Sequence, residues 1–162
     1  MGLRQLLLTG LFNLSHGIYA RMAKSDQAPW DETTESLLAR PPGSLGRALG
    51  EHLRDGGFAL LPRLEDHDVF HVVLGIGTSA EEEVELQWVL AGNGKRSLYC
   101  LGVLLMGSLV FPERLGRFLE CWRRGAGLEP FWFGLSGRRV LPMLGWPVGV
   151  VVPRLRGLVA AA

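Results

Sequence analysis

Read as a pattern of apolar and polar positions, the chain is punctuated as helices throughout. Residues 3–23 predict a first helix, followed by a polar loop from Ala23 to Thr33 that contains Pro29. Arg40-Pro41-Pro42-Gly43-Ser44 reads as a turn ending in an N-cap, because a serine hydroxyl can accept a hydrogen bond from the first helical turn. Leu45, Ala48, Leu49 and Leu53 then follow helical spacing until Gly56-Gly57 stop the helix. A further helix runs from His67 to Leu74 and breaks at Gly75-Ile76-Gly77. Thr78 or Ser79 caps the next, since each is followed three residues later by a glutamate, as a capping box requires. Gly92-Asn93-Gly94 ends it. Ser97 to Phe111 predicts a buried helix, and Pro112, at the favoured first position, opens another that runs to Gly125. The remainder, rich in Gly, Pro and Trp, is less regular. The pattern predicts an all-α fold, a single layered helical domain over residues 1–162.

Two of these helices carry polar residues where apolar ones belong. At about 100° per residue, Val69, Phe70, Val72, Val73 and Leu74 cover most of the circumference of the helix from His67. The remaining arc holds His67 at 0°, His71 at about 40° and Asp68 at about 100°. On the next helix, with Glu83 at 0°, Leu86 and Leu90 fall at about 300° and 340°, and Ala91 and Val84 at about 80° and 100°. Glu83 therefore sits within the apolar face, whereas Glu81, Glu82 and Glu85 lie on the opposite side and read as a solvated face. A buried polar group without a partner costs on the order of 2–7 kcal/mol, so His67, Asp68, His71 and Glu83 require partners. Two imidazoles one turn apart and a carboxylate from the neighbouring helix suit a divalent ion. Asp68 is then either a fourth ligand or a group that orients an imidazole. His16 and His52 lack acidic neighbours at ligand spacing and read as surface or capping residues.

Composition narrows the classes. The 162 residues are 48% apolar and 20% charged, with 17 basic against 16 acidic groups. That balance excludes a disordered tail and gives no nucleic-acid signature. Mean hydropathy is +0.19, yet no apolar run reaches the roughly 18 residues of a spanning helix. The charge is uneven: residues 1–90 carry seven basic and thirteen acidic groups (7 − 13 = −6), and residues 91–162 carry ten basic and three acidic groups (10 − 3 = +7). A basic, apolar second half suits an anionic lipid surface. Cys100 and Cys121 form no disulfide framework or zinc knuckle and read as buried thiols in a reducing compartment. The stretch from Met1 to Leu14 lacks a small-x-small cleavage site, so an amphipathic helix is expected there rather than a signal peptide.

His67-Asp68-x-x-His71, eleven residues and then Glu83 resemble the HDxxH-x11-E signature of the ubiquinone (coenzyme Q) biosynthesis protein 4 family. Glu65 matches a further acidic position of that motif. Pro41-Pro42-Gly43-Ser44-Leu45-Gly46-Arg47 is similar to the family's Pro-x-Gly-Thr/Ser-Leu-Gly segment, and Trp122-Arg123-Arg124-Gly125 to its aromatic helix end. The likeness spans about residues 40–125. The chain departs from the family in a shorter spacer before His67, in Leu64 where an arginine is usual, and in Glu82 where a glycine is usual. The resemblance implies an all-α domain holding a zinc-like divalent ion through His67, Asp68, His71 and Glu83, with Glu65 as a catalytic acid/base or ligand-orienting group. It also implies a role in ubiquinone synthesis, where the family is linked to oxidative decarboxylation at ring carbon 1 of a prenylated hydroxybenzoate.

The partners expected on this basis are a polyprenyl lipid or quinone precursor, a peripheral membrane surface and other quinone-biosynthesis proteins. A homodimer is left open, and no nucleic acid is expected. The expected place is the cytoplasmic, inner face of the cell membrane. A non-catalytic isoprenoid-binding scaffold with a structural metal is the alternative. An HD-type phosphohydrolase needs a distal aspartate ligand, and no Asp follows Asp68.

Overall fold

The computed structural model describes residues 28–62, 64–128, 130 and 137–151; the helix expected over residues 3–23 lies outside them. Among the described residues the fold is all-α, with no strand beyond one isolated bridge between Ser44 and Pro147. The helices are α1 (Thr34–Leu38), α2 (Leu45–Gly56), α3 (Glu65–Leu74), α4 (Ala80–Gly92), α5 (Leu98–Val110) and α6 (Leu115–Ala126), with 3-10 turns at Pro112–Arg114 and Gly137–Met143. The described residues gather into two compact units, one holding residues 28–75 with 130 and 137–151, the other Ile76–Leu128.

In the first unit the Pro-Gly-Ser-Leu-Gly segment has a clear physical purpose. Gly43 turns the chain at φ 75°, and the Ser44 hydroxyl accepts from the Arg47 N–H at 3.3 Å. The N–H groups of Leu45 and Gly46, which no helical carbonyl can reach, donate to the carbonyls of Trp146 and Leu144 at 2.8 Å each. The C-terminal stretch thus seals the first turn of α2. Gly46 has no room for a side chain there, since a Cβ would run into Arg40 and lie 3.0 Å from the Leu144 carbonyl. Leu45, Leu49 and Leu53 are fully buried, on a helix that packs against α1 and α3. The five residues of α1 are too few to show a period, but a capping box of Thr33 and Ser36 starts it.

The end of α2 is equally determined. The Gly57 N–H reaches the Arg54 carbonyl at 3.2 Å and the Phe58 N–H reaches that of Leu53 at 2.8 Å. Gly57 adopts φ 65° to allow this paired closure. The next helix, α3, begins at Glu65, two residues earlier than the apolar pattern predicts. Glu65, Asp66 and Asp68 in its first turn are favourable beside the positive end of the helix dipole. Val69, Phe70 and Leu74 are buried, and Gly75 at φ 62° ends it.

In the second unit, Ser79 is the residue that caps α4. Its hydroxyl accepts from the Glu82 N–H at 3.3 Å, and the Glu82 carboxylate accepts from the Ser79 N–H at 3.0 Å. Two glycines then bring α4 and α6 into backbone contact. A Cβ at Gly92 would overlap the Trp122 carbonyl, and one at Gly125 the Val89 carbonyl. The Trp88 and Phe118 rings stack at 6.0 Å between centroids. The Asn93 amide closes the seam by donating to the carbonyls of Gly125 (3.1 Å) and Leu128 (3.3 Å).

The burial expected of the Ser97–Phe111 helix is not observed. On α5 only Cys100, Val103 and Gly107 are buried, while Leu98, Leu105 and Leu109 are 87%, 64% and 66% exposed. A helix that is apolar all round ordinarily belongs in a core. Here a single side is covered, through the cluster of Val84, Val103, Phe111 and Phe118. No single helix among the described residues is long and apolar enough to cross a membrane, and the chain bends by 106° between α5 and the helix that follows.

The α4–α6 seam generates the first prediction. Gly125→Ala forces the backbones apart and destabilises the fold by about 1–3 kcal/mol, the usual cost of overpacking. Thermal unfolding followed by circular dichroism should show Tm lowered by several degrees. An unchanged Tm would mean that the two helices are not held this close.

Candidate metal centre

α3 presents His67 and His71 one turn apart, with ring centroids separated by 4.9 Å and planes tilted by 58°. His71 is 2% exposed, and the His67 side chain is 16% exposed. Asp68 Oδ1 stands 3.9 Å from His67 Nδ1. Glu83, one turn into α4, is half-buried. His67, His71 and Glu83 are residue types that could hold a metal ion.

Two imidazole nitrogens and a carboxylate oxygen are a donor set used by catalytic zinc. Bonds of about 2.0–2.1 Å suit these nitrogen and oxygen donors around a tetrahedral ion. The residues present therefore fit a divalent ion.

The other two expected residues stand differently. Asp68 is beside His67 but outside the group of three. Glu65 is 3% exposed, and its Oε1 accepts the Trp30 backbone N–H at 2.9 Å. It therefore anchors the segment before α1 to the start of α3.

Two readings of the pattern change. Glu85, expected on a solvated face, is buried. Its Oε2 lies 3.3 Å from Arg117 Nε and accepts a contact from the Cys121 thiol at 3.8 Å. α4 is packed on this side too, by α6, so it has no fully solvated face. Burial, with Glu85 adding to it, pushes the Cys121 thiol above its usual range, and burial does the same to Cys100. Both thiols are therefore weaker acids than a free cysteine and less nucleophilic at neutral pH.

His52 is the second change. Expected at the surface or in a cap, it is half-buried and its ring stacks on that of His71, with centroids 5.7 Å apart and planes 16° from parallel. Its place in the helix carried the signal: seven residues after Leu45, it lies at about 340° on the face that Leu45 and Leu49 bury. His16 lies outside the described residues.

No protein-family model matches this sequence, and a search of curated proteins finds none that matches.

The geometry separates ligand from bystander. Glu83→Ala and His71→Ala should each abolish metal loading as measured by elemental analysis of the purified protein. Glu81→Ala should leave it intact. Glu85→Ala should also leave it intact while costing about 1 kcal/mol of stability, because the lost partner Arg117 remains solvated. Equal loss of metal across all four variants would contradict the site.

Proposed function

We propose that this chain holds one divalent ion, zinc by its donor types, at His67, His71 and Glu83, and presents it to an isoprenoid quinone precursor at a membrane surface. The observation that carries this reading is the pair of imidazoles one turn apart on α3, with ring centroids 4.9 Å apart and His71 2% exposed; Glu83 is the carboxylate that the sequence pattern pairs with them. Three protein donors leave a tetrahedral ion one position for substrate or water, as in catalytic rather than structural zinc sites. That count favours a reactive centre over the scaffold alternative. A bound ion would supply Lewis acidity, polarising a substrate oxygen.

The resemblance of His67-Asp68-x-x-His71-x11-Glu83 to the coenzyme Q biosynthesis family supports a place in ubiquinone synthesis. The matching reaction is oxidative decarboxylation at ring carbon 1 of a prenylated hydroxybenzoate, with an external oxidant. In this reading Asp68 orients His67, and Glu65 holds the start of α3 in place while remaining available as an acid/base group.

The membrane part of the proposal draws on α5. Its exposed leucines would insert at the interface, while Lys95, Arg96 and Arg114 near its ends would meet anionic headgroups. Attachment is then peripheral and reversible, on the inner face of the cell membrane.

Protein purified without added metal should carry close to one zinc per chain. It should float with anionic liposomes, and high salt should weaken the association by screening, with a Debye length of about 3 Å at 1 M. A salt-resistant fraction should depend on α5, so Leu105→Ser combined with Leu109→Ser should reduce it. Mass spectrometry of co-purifying lipids should find a polyprenyl compound. A metal-free protein that binds no liposome would overturn the proposal; a fully saturated four-ligand metal in the zinc X-ray absorption spectrum would favour the scaffold.

A further inference from the structure

We infer that His52 is a positioning residue for the metal centre, its ring stacked on His71 so as to fix the orientation in which His71 offers a nitrogen to the ion. The inference rests on the proposed metal reading and adds a residue that none of the spacing arguments reached.

The stack is well supported from below. His71 is 2% exposed, so its ring orientation is decided by what packs on it. His52 lies nearly parallel, at 5.7 Å and 16°, within the range of a favourable offset pair. His52 is in turn flanked by Phe58, with centroids 6.0 Å apart and planes at 44°. Phe58 is set by the closure of α2, in which its N–H bonds to the Leu53 carbonyl at 2.8 Å. Its ring occupies the space that a side chain at Gly56 would fill. A continuous set of contacts thus runs from the end of α2 to the imidazole of His71. His67 packs on the same imidazole at a tilt of 58°. The stack with His52 therefore fixes the His71 ring against α2.

A planar ring can do this work without being a ligand, which makes the idea separable from metal binding itself. The probe is Co(II), titrated into metal-stripped protein and followed by its visible absorption. Wild type should give an intense band of low-coordinate cobalt. His52→Ala should weaken affinity about tenfold and broaden or shift the band, in line with losses seen when groups that orient a ligand are removed. His52→Phe should restore both affinity and band, because it keeps a stacking ring and removes every nitrogen. Circular dichroism and thermal unfolding of the metal-free variants serve as the control for folding, and His52→Phe keeps the test alive if His52→Ala is unstable. Cobalt binding by His52→Ala identical to wild type overturns the inference, as does a failure of His52→Phe to rescue. Failure of wild type to bind cobalt or zinc overturns the metal reading as well, an outcome distinct from either.

Discussion

A charge taken out of water must be met by an opposite charge, a set of hydrogen bonds or a metal, and this requirement shapes α3 more than any packing preference does. Five of its ten residues are ionisable: Glu65, Asp66, His67, Asp68 and His71. Glu65, Asp66 and His71 are almost fully buried. The helix dipole favours the acids at its start, and the Trp30 N–H satisfies one oxygen of Glu65. The histidines lie farther along, with ring centroids 4.9 Å apart.

The ends of α2 and α3 are set by local backbone geometry. Glycines at the ends of α2 and α3 let the chain reverse without strain, and the first turn of α2 is closed by carbonyls from Leu144 and Trp146. In the other unit, glycines permit α4 and α6 to touch along their backbones, with Asn93 closing the seam. These are short-range, directional constraints. They define helix ends and close approaches more sharply than the burial of leucines, which tolerates repacking.

Much of this was legible in the sequence because helix ends depend on local chemistry. Ser44, Gly57, Gly75 and Ser79 each mark a boundary through a hydrogen bond or a backbone angle that their own side chains determine. The His67, His71 and Glu83 pattern was legible for the same reason, as a fixed spacing on two adjoining helices. What could not be read was how many neighbours each helix has. A helical wheel divides one helix into faces but does not say which are covered. The wheel puts Glu85 on a solvated face although α6 packs there, and the apolar run puts α5 in the core although only one side of it is covered. His52 lay on a buried face by its spacing from Leu45, yet its stack with His71 joins residues nineteen apart on different helices. Asp68 stood on the same arc as the histidines, and its Oδ1 lies 3.9 Å from His67 Nδ1.

The uncovered side of α5 also bears on how this molecule behaves before it meets any partner. Leu98, Leu105 and Leu109 face solvent in the folded state, so completing the fold does not hide them. A mutation that stabilises the helices of the second unit would therefore leave these three side chains as exposed as before, because stability and the burial of α5 are set by different contacts.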